Sequence, residues 1–192
     1  MCIRDSLYPL LVIGLIAVFS IVFYTGSPIK LAHRGVGEFF IFLNFGPLMT
    51  LGPYLVLTKS IHIEPIIIGT LVGLFTTAII IINEFPDKEA DEKAGKRHLV
   101  VRLGLSKSRY LYATIMLAPY ILLGLLIALG YLPILTGIAF LALPITIGNI
   151  KWCYRHYNDP KTLFKANIGT IKNHLIFGIL LIVAYVLDIM VF

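Results

Sequence analysis

The residues best placed to do chemistry lie at positions 83–102, NEFPDKEADEKAGKRHLVVR. Five of the ten acidic residues fall here, set among lysines and arginines, with long apolar runs on both sides. Asn83, Asp87 and Asp91 recur at every fourth position, so a helix would carry all three polar heads along one face. Two carboxylates on one face, followed at once by Lys96 and Arg97, suit a magnesium ion carrying a phosphorylated ligand. Magnesium takes one or two carboxylates together with waters and phosphate oxygens rather than a full protein cage. Pro86 is expected to interrupt the helix one turn after Asn83 and free a carbonyl nearby. Gly95 is a natural stop for the helix carrying the aspartates. A plainer reading is a solvated amphipathic segment laced by Lys88–Glu92 and Glu89–Lys93 pairs at i,i+4. Spacing alone leaves both readings open.

The rest of the chain reads as the frame that holds this stretch at a water interface. Of 192 residues, 58% are hydrophobic and only 14% are charged, and the mean hydropathy is +0.91. These values point to an integral membrane protein with an all-α, polytopic helical bundle as its single domain, residues 7–192. Six nearly uncharged runs, each long enough to cross a bilayer, are expected at 7–24, 39–58, 65–83, 110–130, 132–150 and 174–192. Residues 25–38, 84–109 and 151–173 hold fourteen of the sixteen lysines and arginines; Arg4 and Lys59 are the other two. The three basic loops are therefore expected on the cytoplasmic side, with both termini outside. The same distribution explains the net charge of +6 without nucleic acid, which is not an expected partner; the lipid bilayer is. Residues 1–6, MCIRDS, fit neither a signal peptide nor a helix cap and are expected to be foreign to the natural protein. Cys2 and Cys153 form no metal or redox spacing and read as ordinary thiols.

Other positions have narrower expectations. Pro47 and Pro53 should bend the second span, and Pro144 the fifth. Asn44, polar at membrane depth, either lines a substrate cavity or hydrogen-bonds between helices. Gly69, Gly73, Gly124 and Gly178 should allow close helix packing. In the first basic loop, YTGSPIKLAHRGVGE, Lys30 and Arg34 offer charge to a phosphate, or simply follow the positive-inside bias, and Glu38 opens the next helix. In the third, Trp152, Tyr154 and Tyr157 fit an interfacial aromatic belt, while Asn167, Lys172 and His174 can reach the same site from another side. His33, His98 and His156 read as solvated, and His62 as lying on the outer face. His174, at the mouth of the last span, is the histidine kept as a site candidate. Asp188 falls near the outer end of that span.

The long motif NEFPDKEADEKAGKRHLVVRLG closely resembles the second aspartate-rich motif of the UbiA superfamily of membrane prenyltransferases. GKR-LVVRLG and the upstream YTG-P---HRGVGE look like its 1,4-dihydroxy-2-naphthoate polyprenyltransferase branch. The resemblance runs from about position 7 to the end. It implies helices four to nine of a nine-helix fold, the C-terminal two-thirds, with the first aspartate-rich motif unmatched and the chain N-terminally truncated. It further implies that Asp87 and Asp91 bind magnesium, bridging to the diphosphate of an allylic isoprenoid, and that Asn83 orients that catalytic site. Lys30, Arg34, Lys96 and Arg97 would bind the diphosphate, and Tyr24, Asn167 and His174 would contact substrate. The implied reaction moves a polyprenyl group from its diphosphate to an aromatic acceptor, 1,4-dihydroxy-2-naphthoate in menaquinone synthesis. The implied location is a prokaryotic plasma membrane, with the active face cytoplasmic.

Three rivals remain at this stage. One keeps the fold and changes the acceptor to 4-hydroxybenzoate, a chlorin or haem. A CDP-alcohol phosphotransferase also uses membrane aspartates and a divalent metal, but needs a longer pattern of which only DxxxD is present. A non-catalytic membrane scaffold or transporter would not require charges gathered at one helix end in metal-binding order.

Overall fold

The computed structural model describes the backbone of residues 3–191 and the side chains of residues 8–191. The expectations for Cys2 and for the first two residues lie outside these. Hydrocarbon offers no water to exposed peptide groups, so each apolar run must satisfy its own backbone as a helix. The described residues form helices and no strand. In chain order they are α1 (Ile3–Thr25), α2 (Gly37–Leu43), α3 (Met49–Thr58), α4 (Ile63–Lys93), α5 (Leu99–Leu103), α6 (Leu105–Ala128), α7 (Leu143–His156) and α8 (Pro160–Val191). Six spans are long and apolar enough to cross a membrane. α1, α4, α6 and α8 are each one span. α2 and α3 join through a wide π turn, Asn44–Leu48, to make the second; a 3-10 run, Ile134–Ala142, continues into α7 to make the fifth.

α4 is the central post, and its buried face is the core of the bundle. Leu71, Phe75, Ile81 and Ile82 are sealed against Tyr112, Met116 and Tyr120 of α6 and Phe177 of α8. Buried hydroxyls are paired across helices: Tyr112 with Thr170 at 2.7 Å and Tyr120 with Thr146 at 2.9 Å. Such pairs fix helix register where an unpaired hydroxyl would be costly. The second span meets α4 backbone to backbone. A Cβ at Gly73 would lie 2.8 Å from the Gly46 Cα, and one at Gly69 2.6 Å from the Gly46 carbonyl. The turn at Gly46 (φ −118°, ψ −105°) creates this approach, and the Thr50 hydroxyl seals it by donating to the Pro65 carbonyl at 2.6 Å. Gly69 and Gly73 thus pack as expected. Gly124 and Gly178 do not: Gly124 faces only the Phe140 ring tip at 3.5 Å, and Gly178 faces open space.

One proline departs from expectation. Pro86 sits inside α4, which runs unbroken to Lys93. The missing N–H removes one rung, but the turns on either side are held, one by the core and the other by the ion pairs described below. Pro144 occupies the first turn of α7, where the fifth span changes from 3-10 to α geometry. The last helix also begins fourteen residues earlier than its apolar run, at Pro160. At the same end of the bundle, the Trp152 indole donates to the Thr162 carbonyl at 2.9 Å and lies under Lys165, 4.0 Å from the ring centroid. Arg109 is enclosed by the rings of Tyr110, Tyr154 and Tyr157 at 4.6–5.3 Å, so these aromatics hold cations as well as forming a belt.

The glycine contacts give a paired test. Gly73→Ala drives a methyl group into backbone that cannot rotate away, and should lower stability by about 1–3 kcal/mol. Gly178→Ala meets nothing and should be neutral or raise stability by up to ~1 kcal/mol. Thermal unfolding of both variants in detergent checks this; equal effects would contradict the seam.

Candidate functional site

The continuous α4 puts Asn83, Asp87 and Asp91 on one face at its polar end. They line a pocket of about 220 Å³ with Tyr24 and Thr25 from the end of α1, Glu38 from α2, and Lys96 and His98 from the loop after α4. Helix termination builds one wall. Gly95 (φ +75°) takes the left-handed conformation; its N–H bonds to the Glu92 carbonyl at 3.1 Å, and the Lys96 N–H to the Asp91 carbonyl at 2.9 Å. This is a Schellman motif. It folds Lys96 back over the last turn, where its ammonium meets Asp91 Oδ1 at 2.6 Å. Lys88 and Glu92 pair at 2.7 Å as expected. Among the described residues, the expected Glu89–Lys93 pair is not formed.

His98 is not solvated. It is 4% exposed, with Nε2 3.1 Å from Asp91 Oδ2 and Nδ1 3.2 Å from Glu84 Oε2. The first is a hydrogen bond. The second is electrostatic contact without alignment, since Glu84 Oε2 has no hydrogen-bond partner. Burial opposes the charged imidazole, but the carboxylates of Glu84 and then Asp91 outweigh it and hold the His98 pKa above its ordinary value. Glu38 does more than open a helix. It is 3% exposed, and its Oε1 accepts the Leu99 N–H at 2.6 Å, tying α2 to the start of α5. His33 lines the same pocket, and its carbonyl accepts the Arg97 N–H at 3.1 Å.

The sequence candidates divide accordingly. Tyr24, Asn83, Asp87, Asp91 and Lys96 line the pocket. Asn167, from α8, reaches its edge by donating to Asn83 Oδ1 at 2.7 Å. Lys30, Arg34 and Arg97 lie outside the pocket lining. Lys30 is exposed, Arg34 turns to the Pro28 carbonyl, and Arg97 faces a separate groove with Glu92 and Arg102. His174 does not line the polar pocket; it lies fourteen residues into α8, against the Phe75 ring. Lys172 faces an outer groove with Trp152 and Lys165, and His156 stacks edge-on against Trp152 rather than standing in solvent. Asn44 makes the interhelical hydrogen bond, donating to Ser20 Oγ at 2.9 Å, and it also lines an apolar groove. Glu38, Glu84, His33 and His98 are the additions. No periodicity could have joined Glu38 to Leu99 across sixty-one residues.

This donor set fits magnesium. Asp87 is exposed at the pocket and makes no ion pair among the described residues. Asp91 stands one turn away, and water can reach both, as an ion that keeps part of its hydration shell requires. Asp91 is already engaged by Lys96 and His98, so an ion here shares that carboxylate with them.

A second pocket adjoins the first. An apolar groove of about 490 Å³ runs between α1 and the second span, lined by Ile13, Ala17 and Ile21 on one side and Phe40, Phe45 and Met49 on the other. Tyr24 lines both the groove and the polar pocket.

Comparison with known proteins agrees with this arrangement. Residues 8–171 match the model of the UbiA prenyltransferase family. The chain is 28% identical over 178 residues to the 1,4-dihydroxy-2-naphthoate octaprenyltransferase of Bacillus subtilis, covering 92% of this chain and 57% of that protein. It is 24% identical over 170 residues to the 2-carboxy-1,4-naphthoquinone phytyltransferase of Synechocystis, covering 88% and 55%. Its identity to the chloroplastic phytyltransferase of that name from Arabidopsis thaliana is 31% over 169 residues, covering 81% and 43%. The chain thus spans about half the length of these relatives. No solved structure matches it. A six-span bundle with paired aspartates at the polar end of its central helix, matched along most of its length by one family model, belongs to the UbiA prenyltransferase family.

Proposed function

We propose that this chain serves the transfer of a polyprenyl group from its diphosphate to a naphthoate-like aromatic acceptor. The observation that carries the reading is the junction at Tyr24. There a polar pocket holding Asp87, Asp91 and Lys96 opens beside an apolar groove. A prenyl diphosphate has this division: a charged head and a long apolar tail. The head belongs in the polar pocket and the tail in the groove, which extends from Tyr24 to Ile13, about 16 Å along α1.

Magnesium held by Asp87 and Asp91 would offset the charge of the diphosphate as it departs. Lys96 adds a fixed cation from the side, held in place by the Schellman turn. Asn83, oriented by Asn167, supplies a neutral polar group one turn below Asp87. Loss of diphosphate from an allylic donor would leave an allylic cation; an electron-rich aromatic ring would bond to it and release its own carboxylate as carbon dioxide, or a proton, to restore aromaticity. The apolar groove keeps water from capturing the cation first, and the Tyr24 ring at the junction can face it. The naphthoate class of acceptor is supported by the names of the relatives and by the YTG-P and HRGVGE loop. The three basic loops share the end of the bundle that carries the site, which on the positive-inside rule is the cytoplasmic end.

The test is magnesium-dependent prenyl transfer in membranes, with dihydroxynaphthoate and 4-hydroxybenzoate offered separately, using this chain and a version extended by the N-terminal helices of its relatives. Product with dihydroxynaphthoate alone supports the reading; product only with 4-hydroxybenzoate moves the acceptor. No product from either version, with folding verified, overturns it. In the active form, Asp87→Asn and Asp91→Asn should each lower turnover at least ~100-fold while leaving the helical signal intact. Lys59→Ala, on the opposite loop, should leave turnover within about twofold, because a solvated charge there lies far outside the reach of screened electrostatics. Ala17→Phe, which fills the groove, should raise KM for a long-chain donor more than for a short one.

A further inference from the structure

Behind the aspartates lies a cluster that the transfer reading does not use. Glu38, Glu84 and His98 come from three elements, α2, α4 and the start of α5, and each offers a ligating atom within 4.8 Å of the others. Two of their carboxylate oxygens, Glu38 Oε2 and Glu84 Oε2, are buried with no hydrogen-bond partner. Both also line the polar pocket. His98 stands 3.2 Å from Glu84 Oε2 without hydrogen-bond alignment, and among the described residues Glu38 has no ion pair. Lys96 is committed to Asp91, and His98 directs its aligned hydrogen bond to Asp91 as well. Two carboxylates at the end of a membrane span that share one imidazole, itself bonded to a third carboxylate, are costly.

The arrangement around His98 is that of a ligating histidine. One ring nitrogen donates to a carboxylate, Asp91 Oδ2, which fixes the ring and leaves the other nitrogen facing Glu84. A carboxylate behind an imidazole is the usual outer support of a metal-bound histidine. The Val101 N–H competes for Nδ1 only weakly, at 3.4 Å. Ligands roughly 2.1 Å from a common ion stand about 3.0–3.6 Å apart at ordinary coordination angles, so a separation near the 4.8 Å limit has to close by roughly 1–2 Å, within reach of side-chain rotation.

We infer that Glu38, Glu84 and His98 form a second divalent-cation site, separate from Asp87, that takes an ion accepting mixed nitrogen and oxygen ligands, such as manganese or zinc. One nitrogen with two carboxylates suits such an ion better than magnesium, which favours oxygen alone. On binding, the ion replaces whatever proton His98 Nδ1 carries and satisfies the two orphaned oxygens. It cross-links the start of α2, the last turns of α4 and the loop before α5. Its role is to hold the loop bearing Lys96 and the carboxylate of Asp91 in place, and it does not depend on which acceptor the chain serves.

The test uses the full chain, purified in detergent and stripped of metal, titrated with Mn²⁺ alone and followed by electron paramagnetic resonance. Wild type is expected to bind Mn²⁺ with a nitrogen coupling from one imidazole in the echo-modulation spectrum. Asp87→Asn should retain that site, while Glu38→Gln and Glu84→Gln should each weaken it about tenfold or more. His98→Gln should abolish the nitrogen signal. Wild-type Mn²⁺ without nitrogen coupling overturns the inference without reference to any variant. So does an affinity that falls in Asp87→Asn and is unchanged in Glu38→Gln and Glu84→Gln, or a failure of wild type to bind Mn²⁺. Because the readout is binding, a silent transfer assay leaves this result unaffected.

Discussion

The organisation of this bundle depends on the length of one helix relative to the bilayer around it. α4 has 31 residues and extends about 46 Å, whereas the hydrocarbon layer is roughly 30 Å deep. The excess has to leave the membrane, and it does so at the end carrying Asn83, Glu84, Asp87 and Asp91. Were the helix to break at Pro86, the two aspartates would lose their common face and their fixed distance from the core. Continuity through the proline lets buried Phe75 and Ile81 position carboxylates several turns away. The apolar half is locked by packing, and the polar half inherits its rotation and height.

Charge is then distributed so that no single group is saturated. Asp91 is shared between an ammonium and an imidazole, while Asp87 is left open to the pocket. The Schellman turn links backbone to electrostatics: the bonds that end α4 also bring Lys96 over Asp91. Glu38 performs the reciprocal service for α5, accepting the Leu99 N–H that the short helix cannot use internally. Backbone groups left over at helix ends and charges left over at the membrane boundary thus satisfy one another. This explains why loops of such different sequence meet in one small volume.

What was legible in the sequence was whatever repeats locally. Hydropathy located six spans because hydrocarbon demands about twenty apolar residues at a time, and the four-residue spacing of Asn83, Asp87 and Asp91 placed them on one face because the helix did continue. The failures have a common origin. Pro86 interrupts a helix by local propensity, but tertiary packing carries α4 through it. Glu38, Glu84 and His98 look like ordinary polar residues because their partners lie far along the chain, and a contact across sixty-one residues leaves no trace in spacing. The polar stretch before His174 reads as loop but stays helical from Pro160, because helix can continue past the apolar run into water. The motif at positions 83–104 resembles that of a prenyltransferase family, the family whose model matches residues 8–171.

The seam of Gly46, Gly69 and Gly73 has a mechanical consequence. A contact made of backbone alone has no rotamers to change, so the second span and α4 form a stiff wall. The facing wall of the apolar groove is α1, whose span is scarcely buried by the rest of the protein and whose side-chain hydrogen bond across the groove runs from Asn44 to Ser20. The groove therefore has one wall whose shape is set by backbone, and that wall is continuous with the charged end of α4, so a side-chain change inside the groove leaves the aspartates in register.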